Sequence, residues 1–264
     1  MDKKYSLLRW EREGAIGILR FNRPEALNAL SPELQEELLD LLPRLSLMED
    51  LQVVIITGEG KAFSAGGDLE GFLARSTAHA ELGGTRELFR NRVPRALLAV
   101  EIPLIAAING PAIGGGLTLS LTCNLRIASE DARFGATFAR VGLAPEYGSS
   151  FLLAQVVGLT RASEMILTAR IIDAQEALSF GLVSEVLPSD RLLARARELA
   201  KQIAALPPLA IRMCKRVLHH GMDCTLSQAL DYEELVETHC FSSLDHREAV
   251  SAFLEKRQPH FLGR

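Results

Sequence analysis

The chain has little of what marks secreted, metal-binding or redox-active proteins. Its 264 residues include four cysteines, none of them in a CxxC pair, and its six histidines lack the spacing of zinc ligands. The first residues carry charges where a signal peptide has an unbroken apolar core. We therefore expect reduced thiols, no bound metal ion and a cytoplasmic location.

Long apolar runs and excess positive charge are also missing. The most apolar stretch, residues 96–121, is interrupted by Glu101, Pro103, Asn109 and the glycines Gly114–Gly116, so we expect no membrane span. A net charge of −4 offers no basic surface for nucleic acid. The content of 48% hydrophobic and 23% charged residues is that of a globular protein with a sizeable core.

Most of the chain alternates between strand-like and helix-like patterns. Short apolar runs predict strands at Tyr5–Trp10, Ala15–Phe21, Val53–Thr57, Pro103–Ile108, Leu125–Ser129 and Leu182–Leu187. Helices are predicted to begin at Ser31, at Thr160 and at Asp173, which opens a capping-box pattern with Glu176. These patterns predict an α/β core over residues 1–188.

From Ser189 onward every pattern is helical. The predicted helices are Asp190–Ala205, Pro208–His220, Thr225–Thr238 and Asp245–Arg257. Two of them begin with capping-box patterns, Thr225 with Gln228 and Asp245 with Glu248. We expect residues 189–264 to form a helical region that packs on the core or on a neighbouring subunit.

Two glycine-rich loops follow predicted strands. The first is Lys61–Leu69, KAFSAGGDL, and the second ends in Gly114–Gly116, which open a helix of small residues. Small residues let backbone N–H groups approach a ligand closely, and a helix N-terminus adds positive potential. Two such loops facing each other would give two N–H donors to one carbonyl oxygen, as in an oxyanion hole. Taken singly, each loop is equally well explained as a tight turn.

One carboxylate stands alone downstream of the second loop. Glu146 follows the apolar residues Phe138 and Leu143, and no acid is nearer in the sequence than Asp131. An isolated acid beside an oxyanion hole is typical of an enzyme that moves a proton. An acid in the first turn of a helix, where the helix dipole favours it, is the alternative interpretation.

Several motifs, taken together and in order, resemble the crotonase superfamily, the enoyl-CoA hydratase/isomerase fold. The resembling segments are Arg20–Leu30, Ala62–Leu69, Ile102–Gly110, Gly114–Gly116, Ala174–Val183 and Phe253–Pro259. The resemblance implies a spiral of stacked ββα units whose C-terminal helices build a homotrimer or a dimer of trimers. It also implies an acyl-CoA thioester as substrate, so that coenzyme A enters with the substrate and no other cofactor is expected.

The resemblance also implies roles for individual residues. The oxyanion donors would be the backbone N–H groups of Gly67 and Gly115, and Asp68 would order its loop. The segment Arg23–Leu27 would hold coenzyme A, and Lys256 would reach one of its phosphates. The implied substrate-binding and CoA-binding residues are Arg23, Glu25, Ala26, Leu27, Ala65, Gly66, Asp68, Leu69, Gly114, Thr118, Phe138 and Lys256.

Thr118 and Phe138 depart from the pattern of the hydratase members. Those members share water activation and α-carbon protonation between two glutamates, at the positions that Thr118 and Phe138 occupy here. Neither side chain can act as an acid or a base. Isomerase-like members carry a single acid in the pattern G-x-x-P-[D/E], which is Gly142–Glu146 in this chain. The resemblance therefore favours isomerisation of 3-enoyl-CoA to 2-enoyl-CoA, with Glu146 as the proton shuttle.

Three other hypotheses stay open at this point. An enoyl-CoA hydratase could use Glu146 alone, and a ring-CoA isomerase could act through the same thioester enolate. A crotonase-like domain could also bind acyl-CoA or a protein partner without turnover. Glu146 and the two oxyanion glycines argue against this last hypothesis, because a site that no longer catalyses a reaction need not keep all three.

Overall fold

The computed structural model describes residues 4–71, 73 and 91–263, and its strands form two sheets. The strands are β1 (Leu8–Glu13), β2 (Ile16–Phe21), β3 (Val53–Gly58), β4 (Leu104–Ile108), β5 (Ala112–Ile113), β6 (Leu125–Ser129), β7 (Arg133–Gly135), β8 (Ile171–Asp173) and β9 (Glu185–Leu187). The large sheet has the order β1-β2-β3-β4-β6-β9, and β5-β7-β8 form the small one. From β2 to β9 all neighbours in the large sheet are parallel. The loops after β3 and β4 therefore leave the same edge of the sheet, where ligands bind in α/β proteins.

Helices connect the strands, and the described C-terminal part of the chain contains helices without strands. They are α1 (Pro32–Leu45), α2 (Arg92–Leu98), α3 (Gly115–Leu121), α4 (Ser149–Val157), α5 (Leu159–Thr168), α6 (Ala174–Ser179), α7 (Leu192–Ala204), α8 (Pro208–Gly221), α9 (Leu226–Phe241) and α10 (Leu244–Glu255). The predicted α/β class with a C-terminal helical region is confirmed. In the described part of the chain, no helix combines the length and the apolar character that crossing a membrane requires.

The large sheet is covered on both faces, because alternate residues of its strands point to opposite sides. In β3, Val53 and Ile55 pack with α7, whereas Val54 and Ile56 pack with α1. Every residue of β3 is buried, as expected for a central parallel strand. Although α7 lies in the region 189–264, it packs directly on the core sheet.

Three of the predicted helix starts are confirmed by their caps. The Ser31 hydroxyl accepts a hydrogen bond from the Leu34 N–H at the start of α1. Asp173 accepts from the Glu176 N–H before α6. Thr225 and Gln228 form a reciprocal capping box before α9. These signals were readable because each lies within one helical turn.

The predicted capping box of Asp245 and Glu248 is wrong. Ser243 caps α10 instead, by accepting from the His246 N–H. Asp245 is buried, and its carboxylate accepts from the N–H groups of Leu262 and Gly263 at 2.6 and 2.8 Å. A carboxylate in the first turn of a helix can also accept hydrogen bonds from backbone N–H groups that are distant in the sequence. Here those N–H groups belong to the C-terminal segment.

The strand predictions at both edges of the large sheet also need correction. The first strand begins at Leu8 rather than Tyr5, because the Tyr5 hydroxyl and the Ser6 N–H donate to acids of α1, Asp40 and Glu37. The last strand is only Glu185–Leu187, since the Leu182 N–H closes α6 on the Ala177 carbonyl. The small sheet and α4 were not predicted.

The C-terminal helices leave an apolar surface without a partner in the described chain. No residue of α9 is buried, and Leu226, Leu230, Leu235 and Phe241 are each more than half exposed. Large exposed apolar patches typically mark interaction surfaces. An assembly of several subunits through this surface therefore stays our prediction.

Truncation after Leu206 tests this prediction. The cut removes α8, whose Lys215 ammonium donates to the carbonyls of Val100 and Ile102 at 2.7 and 2.9 Å. We expect an aggregated product or one with a clearly lowered melting temperature, measured by size-exclusion chromatography and thermal unfolding beside the full chain. A soluble, folded monomer of the truncated chain would contradict the assembly role.

Candidate active site

A buried asparagine holds the segment after β2 against the loop after β3. The Oδ1 of Asn28 accepts from the Arg23 N–H at 2.9 Å, and its Nδ2 donates to the carbonyls of Glu59 and Ala62 at 3.0 and 2.8 Å. Asn28 has φ +55°, a conformation that asparagine tolerates well. Sequence analysis did not single out Asn28, because two of its three partners lie more than thirty residues away.

An ion pair joins the same two loops at their surface. The Arg23 guanidinium donates to the Asp68 carboxylate at 2.8 Å, and both side chains are largely shielded from solvent. The other carboxylate oxygen of Asp68 accepts from the Gly71 N–H at 3.2 Å. These contacts join Asp68 to both loops, and its loop-ordering role stays a prediction.

The second loop runs through β5 into α3 and is bonded to the first by backbone. The Ser64 N–H donates to the Pro111 carbonyl and the Ile113 N–H to the Ser64 carbonyl, both at 3.0 Å. On its other side, the Gly114 N–H donates to the Gly135 carbonyl at 2.7 Å. The start of α3 is thus fixed between the first loop and β7.

Gly66 allows the two loops to meet. It has φ +87°, and a Cβ built on it would lie 2.4 Å from the carbonyl oxygen of Ile113 and 3.3 Å from the amide nitrogen of Gly115. Its own carbonyl accepts from the Leu30 N–H at 2.7 Å. Only glycine fits at such a distance from backbone, and the arrangement brings Gly67 beside Gly115.

The predicted oxyanion donors are available for a ligand. Within residues 4–71, 73 and 91–263, neither the Gly67 nor the Gly115 N–H donates to a protein acceptor. Gly115 is the first residue of α3, where an N–H has no acceptor inside the helix and the helix end is positive. Two such N–H groups on adjoining loops can polarise one carbonyl oxygen.

Glu146 lies on a segment that contacts the second loop. It is half-buried in the turn before α4, and its neighbour Tyr147 is buried with φ +61°. Atom Cε2 of the Tyr147 ring lies 3.9 Å from the position that a Cβ on Gly115 would take. The structure therefore brings the segment that carries Glu146 into contact with the second donor loop.

A chain of hydrogen bonds ties Tyr147 to the first loop. The Tyr147 hydroxyl donates to Gln35 Oε1 at 2.8 Å, and Gln35 Nε2 donates to the Leu30 carbonyl at 3.1 Å. The Leu30 N–H in turn bonds to Gly66. Sequence analysis missed Tyr147 and Gln35, since only the folded chain brings together residues 112 positions apart.

The two hydratase positions form part of the wall near Gly114. Thr118 is buried in α3, and its hydroxyl donates to the Gly114 carbonyl at 3.2 Å. Phe138 is 5% exposed, with ring atom Cε1 3.7 Å from the position of a Cβ on Gly114. Neither position offers a group that exchanges protons at neutral pH.

The remaining predicted contacts lie at the mouth of the first loop, with one exception. Glu25, Leu27 and Leu69 are exposed, and the Ala65 N–H donates to the Leu27 carbonyl at 2.9 Å. The remaining predicted residue of the segment after β2, Ala26, is half-buried. The exception is Lys256, which ends α10. None of the described hydrogen bonds or ion pairs joins it to these loops.

The fold brings two glycine-rich loops together at one edge of the large sheet, with the segment that carries Glu146 in contact with the second loop. Residues 11–264 match the model of the enoyl-CoA hydratase/isomerase family. The chain belongs to this family, and it is an enzyme of the crotonase superfamily.

Some relatives of this chain are named hydratases and one is named an isomerase. The short-chain-enoyl-CoA hydratase of Clostridium acetobutylicum is 36% identical over 94% of each chain. The 1,2-epoxyphenylacetyl-CoA isomerase of Escherichia coli is 34% identical over 96% of this chain and 97% of its own. The crystal structure of an enoyl-CoA hydratase from Bacillus anthracis superposes with a TM-score of 0.92 at 34% identity, over 98% of this chain and all of its own. Hydratase names are the more frequent among the relatives.

Gly66→Ala tests the contact between the loops. The new Cβ would collide with the Ile113 carbonyl, and the loops must separate to relieve it. We expect activity toward the enzyme's acyl-CoA substrate to fall at least ~10²-fold, the effect of losing one oxyanion donor. Gly181→Ala is the matched control, because Gly181 also has positive φ but open space around it. Equal activities of the two variants would show that the approach of the loops is not required.

Proposed function

We propose that this enzyme isomerises 3-enoyl-CoA thioesters to 2-enoyl-CoA thioesters, with Glu146 as the proton shuttle. The observation that carries the proposal is the contact of Tyr147, the neighbour of Glu146 in the chain, with the second oxyanion loop. Thr118 and Phe138 occupy the two positions at which a hydratase would hold its glutamates. One carboxylate is sufficient for a proton transfer between two carbons of the same substrate.

The chemistry follows from these positions. The thioester oxygen accepts from the N–H groups of Gly67 and Gly115, while Glu146 removes a proton from the α-carbon. The electron pair of the broken C–H bond moves toward the carbonyl, and its oxygen becomes an oxyanion. As the carbonyl forms again, the double bond shifts to the α–β position and Glu146 returns the proton to the γ-carbon. Oxyanion donors of this kind supply a factor of about 10²–10³ each.

The same proposal includes the binding of coenzyme A and the assembly. The exposed residues at the mouth of the first loop, Glu25 and Leu27 among them, would contact coenzyme A, which enters only as part of the substrate. Lys256 lies on the tail whose apolar surface has no partner among the described residues. In a homotrimer or a dimer of trimers it would reach the coenzyme A phosphates of a site in the assembly. We expect a cytoplasmic enzyme.

The names of the relatives favour hydration as the second candidate function. A hydratase with this chain's residues would use Glu146 alone, first as the base for water and then as the acid for the α-carbon. The relative named 1,2-epoxyphenylacetyl-CoA isomerase makes ring-derived CoA thioesters a further substrate class to test. The measurements that follow separate these reactions.

Glu146→Gln removes the base and keeps the size and much of the hydrogen bonding of the side chain. We expect kcat for a 3-enoyl-CoA to fall at least ~10²-fold with little change in the affinity for CoA esters, since a general base contributes about 10²–10⁴-fold. The assay follows the rise in absorbance as the conjugated enoyl thioester forms. Glu36→Gln, on the exposed face of α1, is the control and should leave turnover intact. Near-normal turnover by the Glu146 variant would assign the proton to another residue.

Hydration of crotonyl-CoA by the unmodified protein tests the second candidate directly. We expect turnover well below about 10 s⁻¹, the median for enzymes in general. Appreciable hydration should require Thr118→Glu together with Phe138→Glu, because one carboxylate cannot easily serve both the water and the α-carbon. The assay follows the loss of the conjugated thioester absorbance. Turnover above this value in the unmodified protein would make the enzyme a one-glutamate hydratase.

A further inference from the structure

A cavity lies at the C-terminal end of α3, the end away from the oxyanion loops. It has a volume of about 620 Å³ and lies between α2, the end of α3, α4 and the end of α8. Cavities that hold small molecules span about 300–1,000 Å³. Tyr147 lines this cavity and its ring also contacts the second oxyanion loop, so the cavity and the proposed reaction site share the Tyr147 side chain as a wall.

The two ends of the cavity differ in chemistry. Along α4, which follows Tyr147, the wall is mainly apolar and includes Phe151, Leu152 and Val156. At the other end, just beyond the last turn of α3, the wall is polar and includes Asn124 and Arg126. An occupant that fills the whole cavity would therefore be an apolar chain with a polar terminus.

Arg126 is a cation without a carboxylate partner among the described residues. Its Nε donates to the Leu182 carbonyl at 2.8 Å and its Nη1 to the Cys123 carbonyl at 2.7 Å, both neutral acceptors. A guanidinium has five N–H groups, so further donors remain for a ligand. Burial lowers the pKa of Arg126.

A second buried cation adds to the positive potential at this end. Lys215 bonds only to backbone carbonyls, and burial lowers its pKa to about 8. It lies in an adjoining cavity that shares Leu98 and His219 with the first. Burial raises the pKa of the nearby Cys123 thiol to about 12, so this group carries no compensating charge at neutral pH.

No acid among the described residues of the two walls is buried beside these cations: Glu101, which partly raises the pKa of Lys215, is half-exposed and paired with Arg216. The Oδ1 of Asn124 accepts from the Leu104 N–H, so its amide nitrogen faces His219 Nε2 at 3.3 Å and the ring nitrogen accepts. The imidazole is then neutral. Burial, and secondarily Lys215, lowers the pKa of His219 in agreement with this. Asp223, the acid of the described wall, is exposed.

We propose that this cavity holds the acyl group of the substrate and that Arg126 binds a carboxylate at the end of that group. The preferred substrates would be CoA thioesters of unsaturated dicarboxylic acids, so the proposal rests on the acyl-CoA chemistry proposed above. A buried guanidinium with free donors is suited to a carboxylate, which accepts two parallel hydrogen bonds. The seven residues of α3 span about 10 Å, so the acyl chain would be of medium length.

The test compares two 3-enoyl-CoA thioesters of equal length, one ending in a methyl group and one in a carboxylate. We expect the unmodified protein to have the higher kcat/KM for the carboxylate substrate. In Arg126→Gln this value should fall about 10-fold to 100-fold, the effect of one charged hydrogen bond, with little change for the methyl substrate. Arg126→Lys keeps the charge and should retain part of the preference. The control is Arg133→Gln, since Arg133 also bonds to backbone carbonyls but lies outside the cavity.

Three outcomes would overturn the inference. They are a preference of the unmodified protein for the methyl substrate, an equal loss for both substrates in Arg126→Gln, and a changed subunit assembly with an unchanged preference. The last two would make Arg126 a structural residue, and thermal unfolding of each variant identifies them. Calorimetric binding of saturated acyl-CoA and ω-carboxyacyl-CoA separates this inference from the proposed reaction. Tighter binding of the carboxylate ester without isomerisation would uphold the cavity assignment and reject the reaction.

Discussion

The close contact between the loops after β3 and β4 is the constraint on which the site depends. A Cβ on Gly66 would lie 2.4 Å from the Ile113 carbonyl oxygen, and a Cβ on Gly116 would lie 2.2 Å from the Ser64 carbonyl oxygen. These distances exclude any side chain at either position. Because the loops meet this closely, Gly67 and the first N–H of α3 can converge on one carbonyl oxygen. The proposed carbonyl-binding site would therefore be built from backbone alone.

Because the proposed carbonyl-binding site uses only backbone groups, the proposed proton carrier can lie on a different element of the fold. In this chain α3 and the turn at Phe138 contribute no acid, and Glu146 stands on the segment before α4. The left-handed backbone of Tyr147 costs about 1–3 kcal/mol, which burial of its ring and the bond to Gln35 offset. The strained residue thus fixes the position of its neighbour Glu146 relative to both loops.

The C-terminal helices connect the core, the cavity and the exposed apolar surface. Lys215 of α8 is bonded to the segment before β4, and one helical turn later His219 lines the cavity. The next residue, His220, stacks on Tyr232 of α9 with ring centroids 4.3 Å apart. Any subunit that covers α9 would therefore lie close to the polar end of the cavity. Substrate selection and assembly would then share the same helix.

The sequence by itself determined the features that depend on neighbouring residues. The caps at Ser31 and Thr225, the buried runs of β3 and β6, and the glycine loops follow from local geometry, and the motif order places the chain in its family. Tertiary structure alone decided the small sheet and the role of Asp245 as a partner of the C-terminal backbone. It also decided the links from Asn28 and Gln35 to the site. These interactions join residues far apart in the chain, so no local pattern specifies them.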